Sequence, residues 1–141
     1  ILKGILNELE KYDVTLSIET FPGTHRVPSG ADDTQKFLER MPPSFRMGYD
    51  TSHTIGGTDE VIEDILRNIN KISVFHFSNR SEDEHHMPIF GSDGELNFIK
   101  IINAVRSSRF SGMIILEYQP NKYRTFMERD LKTLRNIINY K

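Results

Sequence analysis

Four short strand-like runs alternate with helix-like repeats along this chain of 141 residues, and that alternation narrows its fold more than any other feature. Residues 13–19 (DVTLSIE) set Val14, Leu16 and Ile18 on one face and Thr15, Ser17 and Glu19 on the other, the period of two that a strand needs. Residues 45–50 and 71–77 (KISVFHF) also read as strands, and residues 112–117 (GMIILE) form a near-continuous apolar strand of the buried, parallel-sheet kind. Helical spacing fills the intervals. It runs through Leu2, Ile5, Leu6 and Leu9 to about Lys11, and from Asp32 or Asp33 to about Met41, where Pro42 and Pro43 end it. It returns from an N-cap at Thr58 through Val61, Ile62, Ile65, Leu66 and Ile69, then through Phe98, Ile101, Ile102 and Val105, and finally from Met127 to Ile138. Strands alternating with helices imply parallel pairing and right-handed crossovers. The expected class is α/β, a helix followed by about four strand–helix units.

Composition closes off several functions. The chain has no cysteine, which removes disulfides, thiolate metal sites and cysteine nucleophiles. That fits a reducing compartment, and a cytoplasmic location is expected. A formal net charge of −2 advertises neither nucleic acid nor an anionic membrane, and no apolar run approaches membrane-spanning length. Residues 1–141 read as a single domain without linker or low-complexity segment.

Each strand-like run ends in a side chain of metal-ligand type: Glu19, Asp50, His76 and Glu117. In barrels of alternating strands and helices, chemistry collects at the C-terminal strand ends. The histidines agree, for His25, His53, His76, His85 and His86 all fall at strand ends or in the loops that follow them. Any one alone reads as a solvated loop histidine; together with carboxylates in the same structural position they read as a site. Asp50 and His53 stand three residues apart across a strand-to-loop bend, so both side chains can converge above the sheet. His76 sits in the apolar run Val74-Phe75-His76-Phe77, where its desolvation calls for a hydrogen bond or a metal. Glu117 closes another apolar run, and Glu19 lies on a more polar strand face where a salt bridge is the plainer reading. A mixed oxygen and nitrogen set suits a divalent ion such as Mn, Zn, Co or Mg. The loop Ser81-Glu82-Asp83-Glu84-His85-His86 offers Asp83 and His85, or Glu84 and His86, as ligands for an additional metal, with a charged solvent-facing loop as the equal alternative. Arg80 is a candidate substrate contact.

The order of these motifs resembles the C-terminal half of the xylose isomerase-like barrel superfamily, which holds sugar and sugar-phosphate isomerases and epimerases and the endonuclease IV type of DNA-repair enzyme. The resemblance rests on Ile18-Glu19, Gly48-Tyr-Asp50-Thr-Ser-His53, Val74-Phe-His76-Phe-Ser-Asn79, the run from His86 to Gly94, and Ile115-Leu-Glu117-Tyr118. It implies a partial (β/α)8 TIM barrel in which Glu19, Asp50, His76 and Glu117 hold a divalent metal. In the isomerase and epimerase branch it implies that Glu19 and Glu117 move protons next to a carbonyl through an enediolate, while His53 contacts a sugar or sugar phosphate. In the endonuclease branch it implies that His53 is itself a ligand and that Asp83 and His85 complete a zinc cluster acting on abasic DNA. The stretch after Glu19 (Thr-Phe-Pro-Gly-Thr-His) lacks the Ala-Gly-Gln-Gly-like run of that branch. A complete barrel needs about 250 residues, so the chain is expected to lack an N-terminal half or to pair with another copy. A barrel fragment serving as an assembly or binding module is the remaining alternative.

Overall fold

A computed structural model describes residues 2–22 and 28–139; His25 lies outside the described residues. Helix α1 (Leu2–Lys11) precedes β1 (Leu16–Glu19), α2 (Gly30–Leu38), β2 (Phe45–Asp50) and a 3-10 turn (Thr51–His53). Helix α3 (Thr58–Asn68), β3 (Ile72–Phe77), α4 (Phe98–Ser107), β4 (Met113–Leu116) and α5 (Pro120–Asn139) follow. The strands form one sheet in the order β1-β2-β3-β4, every neighbouring pair parallel, as the alternation predicts.

Side chains sort by strand period. Met47 and Tyr49 of β2 and Phe75 and Phe77 of β3 are fully buried, and these two phenylalanines tilt against each other and pack edge-on against Tyr49, Phe98 and Phe110. Each such ring stabilises the fold by about 1.5–3 kcal/mol through burial. The residues alternating with them, Asp50 on β2 and Val74 and His76 on β3, stand on the opposite face, where the sheet carries its polar groups.

Three local expectations are corrected. The second helix starts at Gly30 with Ser29 as N-cap, so Asp32 and Asp33 fall in its first turn, where a helix dipole favours negative charge. Gly57, not Thr58, is the N-cap of α3; Thr58 Oγ1 instead accepts from the Asn97 amide at 2.9 Å, tying α3 to the start of α4. The last strand is not buried on both faces: Met113 is 63% and Ile115 40% exposed, while Ile114 and Leu116 pack against the core. Its outer edge has no further strand beside it among the described residues.

Candidate metal centre

Parallel register brings the four strand-end residues together. Glu19 pairs with Gly48 in the β1–β2 ladder, Asp50 stands opposite His76 in the β2–β3 ladder, and Glu117 follows Leu116, the partner of Phe77. One ligand atom from each of Glu19, Asp50, His76 and Glu117 lies within 4.8 Å of the others. His76 Nδ1 is 2.7 Å from Glu117 Oε2 and 3.5 Å from Glu19 Oε1. It nevertheless makes no hydrogen bond, because neither carboxylate lies where a ring N–H would point.

Asp50 is the most enclosed member, with 0% exposure. Its Oδ1 accepts from the Ser52 amide at 2.7 Å, the Ser52 hydroxyl at 3.0 Å and the Ser78 hydroxyl at 3.5 Å. Its Oδ2 is buried and accepts nothing. A bare carboxylate oxygen without water or a donor is costly unless a cation meets it. Two orphaned buried ligand atoms, three converging carboxylates and one imidazole therefore fit a divalent ion of the Mn, Co, Zn or Mg kind.

A second group, Asp50, His53 and His86, shares Asp50 with the first. His53 Nδ1 is 2.9 Å from the Thr20 carbonyl, which only accepts, so that nitrogen carries the proton and Nε2 presents a lone pair. That Nε2 is 3.3 Å from His86 Nε2. Phe21 stacks on the His53 ring at 5.5 Å. His85 Nδ1 is held by the Ser52 carbonyl at 2.7 Å, which places its ring beside the group but outside it. Asp83 is exposed and belongs to neither group. Arg80 turns its guanidinium to the Gly56 carbonyl and to Glu95 Oε2 at 3.4 Å, bracing the loop after β3 against the loop before α3.

That loop is anchored from several sides. Asn79 and Met87 exchange backbone hydrogen bonds, and the Asn79 amide engages the backbone of Arg80 and Leu96. Met87, Pro88 and Ile89 are buried, although the stretch reads as polar by composition. The Tyr118 hydroxyl donates to buried Asp130 and accepts from the Ile89 amide, and Gln119 binds the carbonyls of both His85 and His86. Glu84 accepts from Lys122 Nζ at 2.6 Å and Tyr123 Oη at 3.0 Å. The Lys122 ammonium, and then the Tyr123 hydroxyl, hold the Glu84 carboxyl below its usual range. A depressed carboxylate adds stability that is present above its unfolded pKa and is lost as pH falls through the folded value. Lys122→Met is expected to move the Glu84 carboxyl back toward its ordinary range in a carbon-detected NMR titration; an unmoved titration would show that Lys122 does not hold it.

Beside His53, between the loops after β1 and β2, opens a cleft of about 290 Å³ lined by Thr20, Phe21, Tyr49, His53, Ile55 and Asp64 among others. Burial, with the Asp64 carboxylate alongside, pushes the Tyr49 phenol far above its usual range, so it serves as a donor to Asp64 and not as a base.

Sequence reasoning named the four strand-end residues that converge here and missed Thr20, Ser52 and Ser78. Ser52 had a local signal, because an aspartate two residues before a serine in a turn commonly accepts from its backbone.

A family model described as xylose isomerase-like TIM barrel matches residues 2–137. Among solved structures, a D-tagatose 3-epimerase-like protein superposes with a TM-score of 0.72 at 18% identity, covering 98% of this chain and 53% of its own. A 3-keto-D-glucoside 4-epimerase from E. coli also gives 0.72, at 11% identity, over 96% of this chain and 51% of its own. A probable 3-DHS dehydratase involved in petrobactin synthesis in Bacillus anthracis gives 0.72 at 18% identity, over 96% and 54%. No curated protein sequence matches. The chain spans about half the length of these solved structures, and its four strand–helix units are those of a partial (β/α)8 barrel.

Proposed function

The chain belongs to the xylose isomerase-like TIM barrel family, and from that membership we propose that it supplies the metal centre of a sugar or sugar-phosphate isomerase or epimerase. The carrying observation is the convergence of Glu19, Asp50, His76 and Glu117, with the buried Asp50 Oδ2 left without a donor. A divalent ion held there would supply the positive charge that polarises a carbonyl and lowers the cost of an enediolate. Glu19 and Glu117, the partly exposed carboxylates of the set, take a proton from the carbon next to that carbonyl and return one to the neighbouring carbon or the opposite face. His53, its proton fixed on Nδ1 by Thr20, offers Nε2 as an acceptor for a substrate hydroxyl. The cleft beside it is near the lower end of the roughly 300–1,000 Å³ usual for ligand pockets, which suits a small molecule. We assign residues 1–141 to the C-terminal half of the barrel, the rest coming from an N-terminal half or a second copy.

The second group favours a second reading, an endonuclease IV-like enzyme cutting abasic DNA with more than one zinc. His53 and His86 approach as two ligands of one ion would, whereas Asp83, which that reading enlists, lies apart from them.

The test uses the full-length protein loaded with Mn, Co or Zn, incubated in D2O with a panel of free and phosphorylated ketoses and, separately, with abasic-site DNA. Deuterium entering the carbon next to the carbonyl supports the isomerase reading. Strand cleavage without exchange replaces it with the nuclease. Neither activity, with folding unaffected by chelator, leaves a binding module.

A further inference from the structure

We infer that Ser52 and Ser78 are positioning residues that make Asp50 a one-oxygen metal ligand; the inference rests on the metal centre proposed above. The two oxygens of this carboxylate have opposite surroundings. Oδ1 receives three donors, the Ser52 amide, the Ser52 hydroxyl and the Ser78 hydroxyl, at 2.7, 3.0 and 3.5 Å. Oδ2 is buried, receives none, and faces the imidazoles, 3.4 Å from His53 Nδ1 and 3.8 Å from His86 Nδ1. An oxygen with its lone pairs engaged by donors has little electron density left for a cation, whereas the bare oxygen keeps it.

The donors are themselves fixed. The Thr51 hydroxyl accepts from the Ser78 amide at 3.1 Å and donates to the Ser78 carbonyl at 2.8 Å, so Ser78, at the end of β3, is locked to the turn after β2. The Asp50 amide donates to Thr20 Oγ1 at 3.0 Å, locking the base of the same side chain to β1. Asp50, Ser52 and Ser78 are each fully buried, so no solvent competes for Oδ1. Rotating the carboxylate to bind through both oxygens would break all three hydrogen bonds inside a dry site. One-oxygen binding matters for chemistry, because a chelating carboxylate would occupy a coordination position that substrate oxygens need.

The experiment loads Co(II) into full-length wild-type protein, Ser52→Ala, Ser52→Ala/Ser78→Ala and Ser52→Thr, and records visible absorption and metal dissociation constants, with thermal melting as a folding control. The double variant is expected to bind about 10- to 100-fold more weakly, the range for loss of groups that orient a ligand, and to show altered Co(II) absorption as Asp50 changes its mode. Ser52→Ala, which keeps the Ser52 amide and Ser78, shifts both in the same direction by less. Ser52→Thr retains the hydroxyl and restores the wild-type spectrum. Unchanged spectra and affinities in folded Ser52→Ala and in the double variant would overturn the inference while leaving the metal centre intact. Wild-type protein that takes up no Co(II) would overturn the metal centre and this inference together.

Discussion

Glu117→Gln in the full-length protein is expected to lower turnover by about 10²- to 10⁴-fold, the range lost when a positioned acid–base group is removed, and to reduce bound metal as well. Both effects follow from one side chain standing at two interfaces. Glu117 Oε2 lies 2.7 Å from His76 Nδ1 within the ligand cluster, yet the residue keeps partial exposure toward the open mouth where a substrate carbon would stand. Glutamine preserves the shape but removes the charge that, in the proposed function, attracts the ion and the basicity that takes the proton. His76→Ala gives the complementary result. It withdraws the imidazole set between Glu19 and Glu117, at 3.5 and 2.7 Å, and leaves two carboxylates facing each other across the gap. Metal content measured by mass spectrometry should drop in both variants. Full metal content and full turnover in both would show that the strand-end cluster is not the site.

The second large effect is one of stability. A Cβ added at Gly112 would overlap the Phe110 ring and the Ser73 carbonyl oxygen. The ring can tilt, but the carbonyl belongs to the backbone of β3 and has nowhere to go. Gly112→Ala is therefore expected to push the start of β4 away from β3 and destabilise the protein by about 1–3 kcal/mol, the usual cost of overpacking. Gly91→Ala is the matched control, since its nearest neighbour would be the Pro88 carbonyl oxygen at 3.4 Å, an ordinary contact. Thermal melting distinguishes them. A Gly112→Ala midpoint equal to that of Gly91→Ala would contradict the packing described for the β3–β4 junction.

The strands and the strand-end cluster were legible because each depends on local pattern. Alternation in residues 13–19 and the apolar run around His76 announce strands, and a charged or imidazole side chain at the end of each run stands out against its neighbours. What escaped depends on distance along the chain. Ser78 reaches Asp50 across 28 residues, and no spacing rule links a hydroxyl after one strand to a carboxylate ending another. The exposure of Met113 and Ile115 was hidden for a different reason. A strand apolar on both faces reads as enclosed, and here one of those faces looks out from the open side of the sheet. The Asp32 and Asp33 cap failed because a carboxylate in the first turn of a helix serves the dipole as well as one at the cap, so residue type alone does not fix the first position. The loop after β3 looked polar because its charged residues outnumber Met87 and Ile89, which do the anchoring.

For anyone wishing to redirect this scaffold toward other substrates, the fastening of that loop is a practical asset. Its histidines are held at the base by Asn79, Tyr118 and Gln119, while Glu82, Asp83, Ser92 and Asp93 project outward from its crests. A mutant library confined to those four crest positions can vary what the rim of the mouth presents to an incoming molecule while the imidazoles beneath stay where selection needs them.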